Sequence, residues 1–277
     1  VFVEARGATH VDNLICDASY NHVDGSGTLD VTAIVGGFTA PTEGWKIKTR
    51  IETLKGKQLS KPITKKVPHT FYQPMGFFGH KTEASFTLPG IAPWSAESPC
   101  RYRVIVELIN PSGEVAEAHP QIIGFRSIVI SGNELLINGK PAWIFGVNRH
   151  DHHPTRGKAL TIDNIRDDLL AMRRHNITAV RCAHYPNDPR LLDLCDEIGM
   201  YVVDEANGGA HGESTSVGSE PAWRRTRVAS ATQMVERDRN HASVIVRAHG
   251  NEGGYGRNND AEVGWIGHAD PTRTLNY

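Results

Sequence analysis

The sequence has no charge excess to speak of: 30 Lys and Arg face 31 Asp and Glu in 277 residues. Nucleic acids and anionic membrane surfaces recruit strongly basic faces, so neither partner is expected. No apolar run approaches the ~18 residues that a membrane-spanning helix needs. The opening residues from Val1 show no basic-then-apolar signal-peptide pattern, so a cytoplasmic location is the expectation. Cysteine is scarce as well. Cys16, Cys100, Cys182 and Cys195 form no CxxC pair, which points to free thiols in a reducing compartment rather than a disulfide frame. Histidine is the exception: there are 14, three of them within His150–His153 (HDHH).

Two rhythms divide the chain. Up to about residue 126, apolar and polar residues alternate with period two, as in strands with one buried face. WKIKTRIET sets Trp45, Ile47, Thr49 and Ile51 against Lys46, Lys48, Arg50 and Glu52. RYRVIVEL repeats the pattern with Tyr102, Val104, Val106 and Leu108, and NPSGEV after it supplies turn chemistry. Lys and Pro crowd residues 55–68, which read as a polar loop. These features predict an immunoglobulin-like β-sandwich over 9–126, with residues 1–8 as the tail of an upstream domain.

From about 127 the pattern becomes strand–helix. Asn138-Gly139 is a two-residue hairpin signal. WIFGVN reads as a first buried strand, and ITAVR, MYVVD and SVIVRA as three more. Between them lie helices: one capped by Thr161 with Ile162, Ile165, Leu169 and Met172 on one face, one opened by Asp188-Pro189 and closed by Gly199, and EPAWRRTRVASATQMVERDRN. A further helix around 261–268 leads to LNY, the start of a fifth strand. Buried strands alternating with helices predict a parallel sheet, here the first half of an eightfold (β/α) barrel over 127–277.

Barrels of this kind do chemistry at the C-terminal ends of their strands. The four ends carry Asn148 with His150, His152 and His153; Arg181 with Cys182 and His184; Asp204 with Glu205, Asn207 and His211; and Asn251 with Glu252. Glu252 is a candidate general acid, its pKa raised by desolvation at an apolar barrel edge. His150 and His184 suit either hydrogen bonding to ligand hydroxyls or proton exchange near neutrality. Glycines at 253, 254 and 256 leave room for substrate or a neighbouring loop.

The strings NRHDHHP, NITAVRCAHYPNDPRLLDLCDEIGMYVVDEAN and RDRNHASVIVRAHGNE resemble the landmarks of glycoside hydrolase family two, nearest its β-galactosidase branch. PWSAESP, IGFRSIVI and LLINGKP resemble that family's bridge from sandwich to barrel. The resemblance implies retaining hydrolysis of terminal β-D-galactosides such as lactose. It makes Glu252 the acid/base, Asn251 the residue holding the sugar 2-hydroxyl, His150 and His184 glycone contacts, and Arg181 the residue orienting the nucleophile. It also implies a Mg²⁺ site using His211 and Glu252, and a homo-oligomeric full-length enzyme.

Three departures qualify that picture. The nucleophile glutamate of the family falls after Tyr277, so the residues read as part of a longer enzyme and are expected to be inactive alone. Gly209 replaces a glutamate that ligates the metal, which weakens the Mg²⁺ site. Arg247 replaces a tryptophan in a buried strand and demands a partner there, with Ala248 and His249 also unusual. Plainer roles are expected elsewhere: His152 and His153 structural, Cys182 and Cys195 packing, WRRTRV a solvated helix face, and a structural ion pair as the rival role for Arg181. Two other functions stay open: a non-catalytic or complementing fragment, and a metal-dependent barrel hydrolase built on His150 and His152.

Overall fold

A computed structural model describes residues 3–37, 40–69, 80–209 and 211–276, without the side chains of 214 and 215. It divides into two units, 1–92 with 101–125, and 93–100 with 126–277. Of the expected upstream tail, residues 1 and 2 lie outside the described residues, as does Tyr277 of the LNY string.

The first unit contains β1 (Thr9–Asn21), β2 (Ser26–Gly37), β3 (Lys46–Thr53), β4 (Ile63–Lys66), β5 (His80–Leu88), β6 (Tyr102–Ile109) and β7 (Val115–Ile123). They pair antiparallel in two sheets, ordered β1-β2-β5 and β4-β3-β6-β7. Alternation drives the packing. Leu29, Val31, Ala33 and Val35 on β2 and Ala84, Phe86 and Leu88 on β5 bury against Ile47 and Ile51 of β3 and Val104, Val106 and Leu108 of β6. The expected polar loop over 55–68 is corrected in part, because Ile63–Lys66 pairs with β3 as an edge strand. Its lysines face solvent, which is how a sheet edge avoids unwanted pairing.

In the second unit, β8 (Ile128–Ser131), β9 (Glu134–Ile137) and β10 (Lys140–Pro141) form a small antiparallel sheet. Asn138 and Gly139 join β9 to β10 with φ of 53° and 76°, the left-handed pair that a type I′ turn requires. The parallel layer follows: β11 (Gly146–Arg149), α1 (Ile162–Arg174), β12 (Ala179–Cys182), α2 (Pro189–Ile198), β13 (Tyr201–Glu205), α3 (Ser214–Ser219), α4 (Pro221–Asp238), β14 (Val244–Ala248), α5 (Arg257–Ala269) and β15 (Thr274–Asn276). The sheet order is β11-β12-β13-β14-β15, all neighbours parallel.

Local chemistry sets these boundaries. Thr161 and Asn164 form a reciprocal capping box at α1. Asp188 caps α2, Pro189 opens it, and Gly199 ends it at φ 85°. Ile165 and Leu169 of α1 pack with Leu191, Leu192 and Cys195 of α2 over Val180, Val202 and Val244 of the sheet. On the sheet's other face Trp94, fully buried in the segment 93–100, meets Tyr201 edge-on at 5.9 Å and donates its indole N–H to the Asp196 carbonyl at 2.9 Å. All four cysteines are free, and burial pushes the Cys182 and Cys195 thiols well up, so both serve as packing.

Three expectations are corrected. WIFGVN is not buried: Trp143 is 78% and Phe145 60% exposed, because the strand begins only at Gly146 and pairs on one flank alone, with β12. Ile162 lies exposed in the first turn of α1, short of the apolar face formed by Ile165 and Leu169. WRRTRV is only partly solvated, since Arg227 is buried and donates to Glu262 at 2.8 Å and to the Gly208 carbonyl at 3.0 Å.

Arg247 finds the partners its burial demands. Its guanidinium donates to Asp204, and to Asp270 Oδ2 at 3.2 and 3.3 Å. Arg273 pairs with the same Asp270 carboxylate at 2.8 Å and donates to the carbonyls of Arg239 and His241. Asp204 and Arg247 are cross-strand neighbours in register. Removing one member of such a network leaves buried charge unpaired, so Arg247→Met is expected to lower unfolding free energy by about 3–5 kcal/mol in urea titration.

Burial, reinforced by the charge of Asp238 and opposed by Arg247, holds the Asp204 carboxyl above the usual carboxylate range. The folded state then keeps a proton that the unfolded chain releases. That contribution is complete below the ordinary aspartate pKa and is lost as pH rises through the raised value. The unfolding free energy of the wild type relative to Asp204→Asn is therefore expected to fall as pH rises from about 4 to neutrality, with a flat difference counting against the assignment.

Candidate active site

The register of the parallel sheet brings the strand ends level: Asn148 pairs with Arg181, Arg181 with Val203, and Glu205 with Ala248. Successive residues on a strand face opposite ways. Asp204 therefore serves the Arg247 network behind the sheet, while Glu205 turns to the other face and meets Arg181.

Glu205 is fully buried, and both of its carboxylate oxygens are engaged. Arg181 Nε donates to Oε2 at 2.5 Å, and His184 Nδ1 bonds Oε1 at 3.1 Å. Arg181 also donates from Nη2 to Asn251 Oδ1 at 2.9 Å. The ring of His150 stands edge-on to that of His184 at 5.3 Å and to Tyr185 at 6.2 Å. The structural ion pair considered for Arg181 is thus present, and the same side chain reaches Asn251. Arg181, His184, Asn251 and His150 form one connected group around Glu205.

The loop carrying His150 is anchored from below. Buried Arg149 donates to Asp151 at 2.6 Å, to Asn187 at 3.0 Å and to Asp168 at 3.1 Å. The Asp151 backbone N–H donates to the Tyr185 hydroxyl at 3.0 Å, and Lys158 Nζ lies 4.5 Å over the Tyr185 ring. Neighbouring His152 is exposed, and the His153 ring accepts from the Thr155 backbone at 3.2 Å, closing a turn.

Glu252 follows Asn251 directly but is oriented separately. Its side chain is 63% exposed and pairs with His211 Nδ1 at 2.9 Å, whose own side chain is 86% exposed. The apolar surroundings expected to desolvate Glu252 are not found around it among the described residues. Its backbone is unusual, with φ of 50° in the left-handed region. Glutamate rarely adopts that conformation, and such outliers gather at functional sites. The glycines behind it pack tightly. A Cβ on Gly208 would lie 2.0 Å from the His249 carbonyl oxygen, and one on Gly256 would lie 2.4 Å from that of Gly218. Gly256 therefore serves the close approach of the last turn of α3, a helix rather than the expected loop or substrate.

Comparison with known proteins adds the decisive observation. The model of the glycosyl hydrolases family 2 TIM barrel domain matches residues 128–277, and that of glycosyl hydrolases family 2 matches 9–126. The chain belongs to glycosyl hydrolases family 2. A beta-galactosidase of Pectobacterium atrosepticum is 46% identical over 186 residues, 66% of this chain and 18% of that protein. One from Yersinia pestis bv. Antiqua (strain Angola) is 37% identical over 251 residues, 90% of this chain and 23% of that protein. The chain thus spans about a fifth of the length of the curated relatives it matches. Among solved structures, an FMN-binding beta-glucuronidase from Faecalibacterium prausnitzii L2-6 superposes with TM-score 0.82 at 20% identity, over 98% of this chain and 41% of that one. A beta-glycosidase from Bacteroides vulgatus gives 0.80 at 22%, over 98% and 34%. At those identities the likeness is one of fold.

Within this family 2 chain, Glu205 and Arg149 are strand-end residues to which motif reading gave no role. Both were legible: Glu205 as the outward partner of Asp204 on an alternating strand, Arg149 as a charge inside a strand end. The donors suited to Mg²⁺ do not make a full site. His211 and Glu252 meet, Gly209 offers no side chain, and no group of three His, Cys, Asp or Glu among the described residues is placed to hold a metal ion. The same finding leaves the His150 and His152 metal hydrolase without a ligand set. A Cβ at Gly209 would sit 3.2 Å from the Asn251 carbonyl oxygen, close enough to need only a small shift. Gly209→Glu is therefore expected to tighten Mg²⁺ binding by about tenfold or more by calorimetry, since Mg²⁺ affinity follows the count of oxygen donors.

Proposed function

We propose that these residues supply the acid/base half of a retaining β-galactosidase, acting on terminal β-D-galactosides such as lactose. The observation that carries the reading is the 46% identity to a beta-galactosidase, taken with the Glu205-centred group at the strand ends beside Asn251 and Glu252. Glu252 donates a proton to the departing glycosidic oxygen and later takes one from water. Its exposed carboxylate, held by His211, suits a group that must reach a leaving group of variable size. Asn251, fixed by Arg181, offers its amide N–H to the sugar 2-hydroxyl, and His150 and His184 line the glycone side. Retention requires a second carboxylate about 5–5.5 Å from the first, which this reading places in chain following Tyr277. Arg181 would orient it. A homo-oligomeric cytoplasmic enzyme belongs to the same proposal.

The test is the hydrolysis of aryl β-galactosides by the polypeptide as isolated, together with its intact mass. A mass well above 30.4 kDa with galactoside turnover supports the reading, whereas turnover by a 30.4 kDa chain overturns the need for a carboxylate from outside it. In the active polypeptide, Glu252→Gln is expected to slow lactose hydrolysis by about 10²–10⁴-fold while sparing galactosides with activated aryl leaving groups, whose departure needs little protonation. Equal losses on both substrates would remove Glu252 from the acid/base role.

A further inference from the structure

Glu205 cannot reach a substrate, because it is fully buried and both oxygens are occupied. The groups it holds are the ones that can. Arg181 and His184 keep 26% and 36% of their side chains exposed. We propose that Glu205 is the positioning residue of this site, holding the His184 ring by its Nδ1 edge and the Arg181 guanidinium by its Nε and Nη2 atoms, so that His184 turns its remaining edge to the sugar while Arg181 reaches Asn251. The proposal rests on the glycosidase reading for the nature of the ligand, and on geometry for the rest.

A carboxylate facing a guanidinium accepts hydrogen bonds and does not donate them. The hydrogen on His184 is therefore on Nδ1, which leaves Nε2 as the free edge. Arg181 meets one Glu205 oxygen through both Nε and Nη2, and the same Nη2 donates to Asn251, so one buried carboxylate fixes groups from the end of β12, the loop after it and the segment following β14. A residue that only neutralised Arg181 would need one contact. Glu205 spends its second oxygen on His184.

Three substitutions separate positioning from charge balance. In the galactoside-hydrolysing polypeptide, Glu205→Gln is expected to lower kcat by at least about 100-fold, as losing the carboxylate behind an active-site imidazole does elsewhere, with a much smaller change in KM. Glu205→Asp is expected to recover part of the loss. Because Glu205 acts through His184, the double variant Glu205→Gln with His184→Ala is expected to lose less than the product of the single losses. A fully multiplicative loss overturns the proposal.

A second readout is independent of turnover: the rate at which diethyl pyrocarbonate modifies His184, followed by peptide mass spectrometry with exposed His22 as reference. Removing the acceptor on Nδ1–H makes Nε2 a poorer nucleophile, so the Glu205→Gln rate is expected to fall about threefold or more. Should the Gln variant fail to fold, Glu205→Asp is measured instead, its shorter side chain being expected to weaken the His184 contact and to lower the rate by less than Gln does. A rate at the wild-type level in the variant that is measured overturns the proposal. A wild type that hydrolyses no galactoside yet shows this drop would overturn the substrate reading and support the positioning of His184.

Discussion

The second unit is organised by the neutralisation of one buried guanidinium. Arg247 lies in the middle of β14, wholly out of water, where an unpaired cation would be intolerable. Asp270 at the end of α5 supplies the countercharge, Asp204 on the neighbouring strand accepts a further hydrogen bond, and Arg273 shares Asp270 in turn. These partners lie on three consecutive segments of the sheet and its helices. Their pairing therefore fixes how β13, β14 and β15 stand relative to one another. Because Asn251 and Glu252 follow directly from β14, the electrostatics behind the sheet determine where they emerge in front of it.

The alternation of β13 makes this division of labour possible. Asp204 and Glu205 are adjacent acids with opposite tasks, one bracing the helical layer and the other gathering Arg181 and His184. Arg247 lies on the strand that leads to Asn251 and Glu252. Its side chain turns toward Asp204 and Asp270, so its immediate business is packing and charge balance on the far face. On the other face His211 and Glu252 meet as a pair of exposed partners, Gly209 brings no side chain to them, and no group of three metal-binding side chains is found among the described residues.

Much of the architecture was legible because short-range chemistry and long-range packing agree. Strands β2, β3, β5 and β6 alternate, the Asn138-Gly139 turn has the conformation its residues favour, and α1 and α2 begin and end at their caps. What escaped the sequence depended on partners. A four-residue strand of one isoleucine, one threonine and two lysines reads as loop until β3 is known to lie beside it. Arg227 reads as solvated until Glu262, far along the chain, covers it. Of the site, Arg181, His184, Asn251 and His150 stood out as polar residues at strand ends with roles to fill, whereas Glu205 stood among them without one, since its burial and its two partners are set by packing. The exposure of Glu252 was hidden for the same reason: desolvation is a property of surroundings, not of a motif.

The edge formed by β11 has a practical side. Trp143 stands almost free in solvent beside Phe145, while Trp94 is sealed inside the same unit. An indole in water emits at long wavelength and moves to the blue when apolar surface closes over it. Trp143 is thus a native optical probe placed on the open flank of the sheet, able to signal, without any label, when another piece of polypeptide docks there.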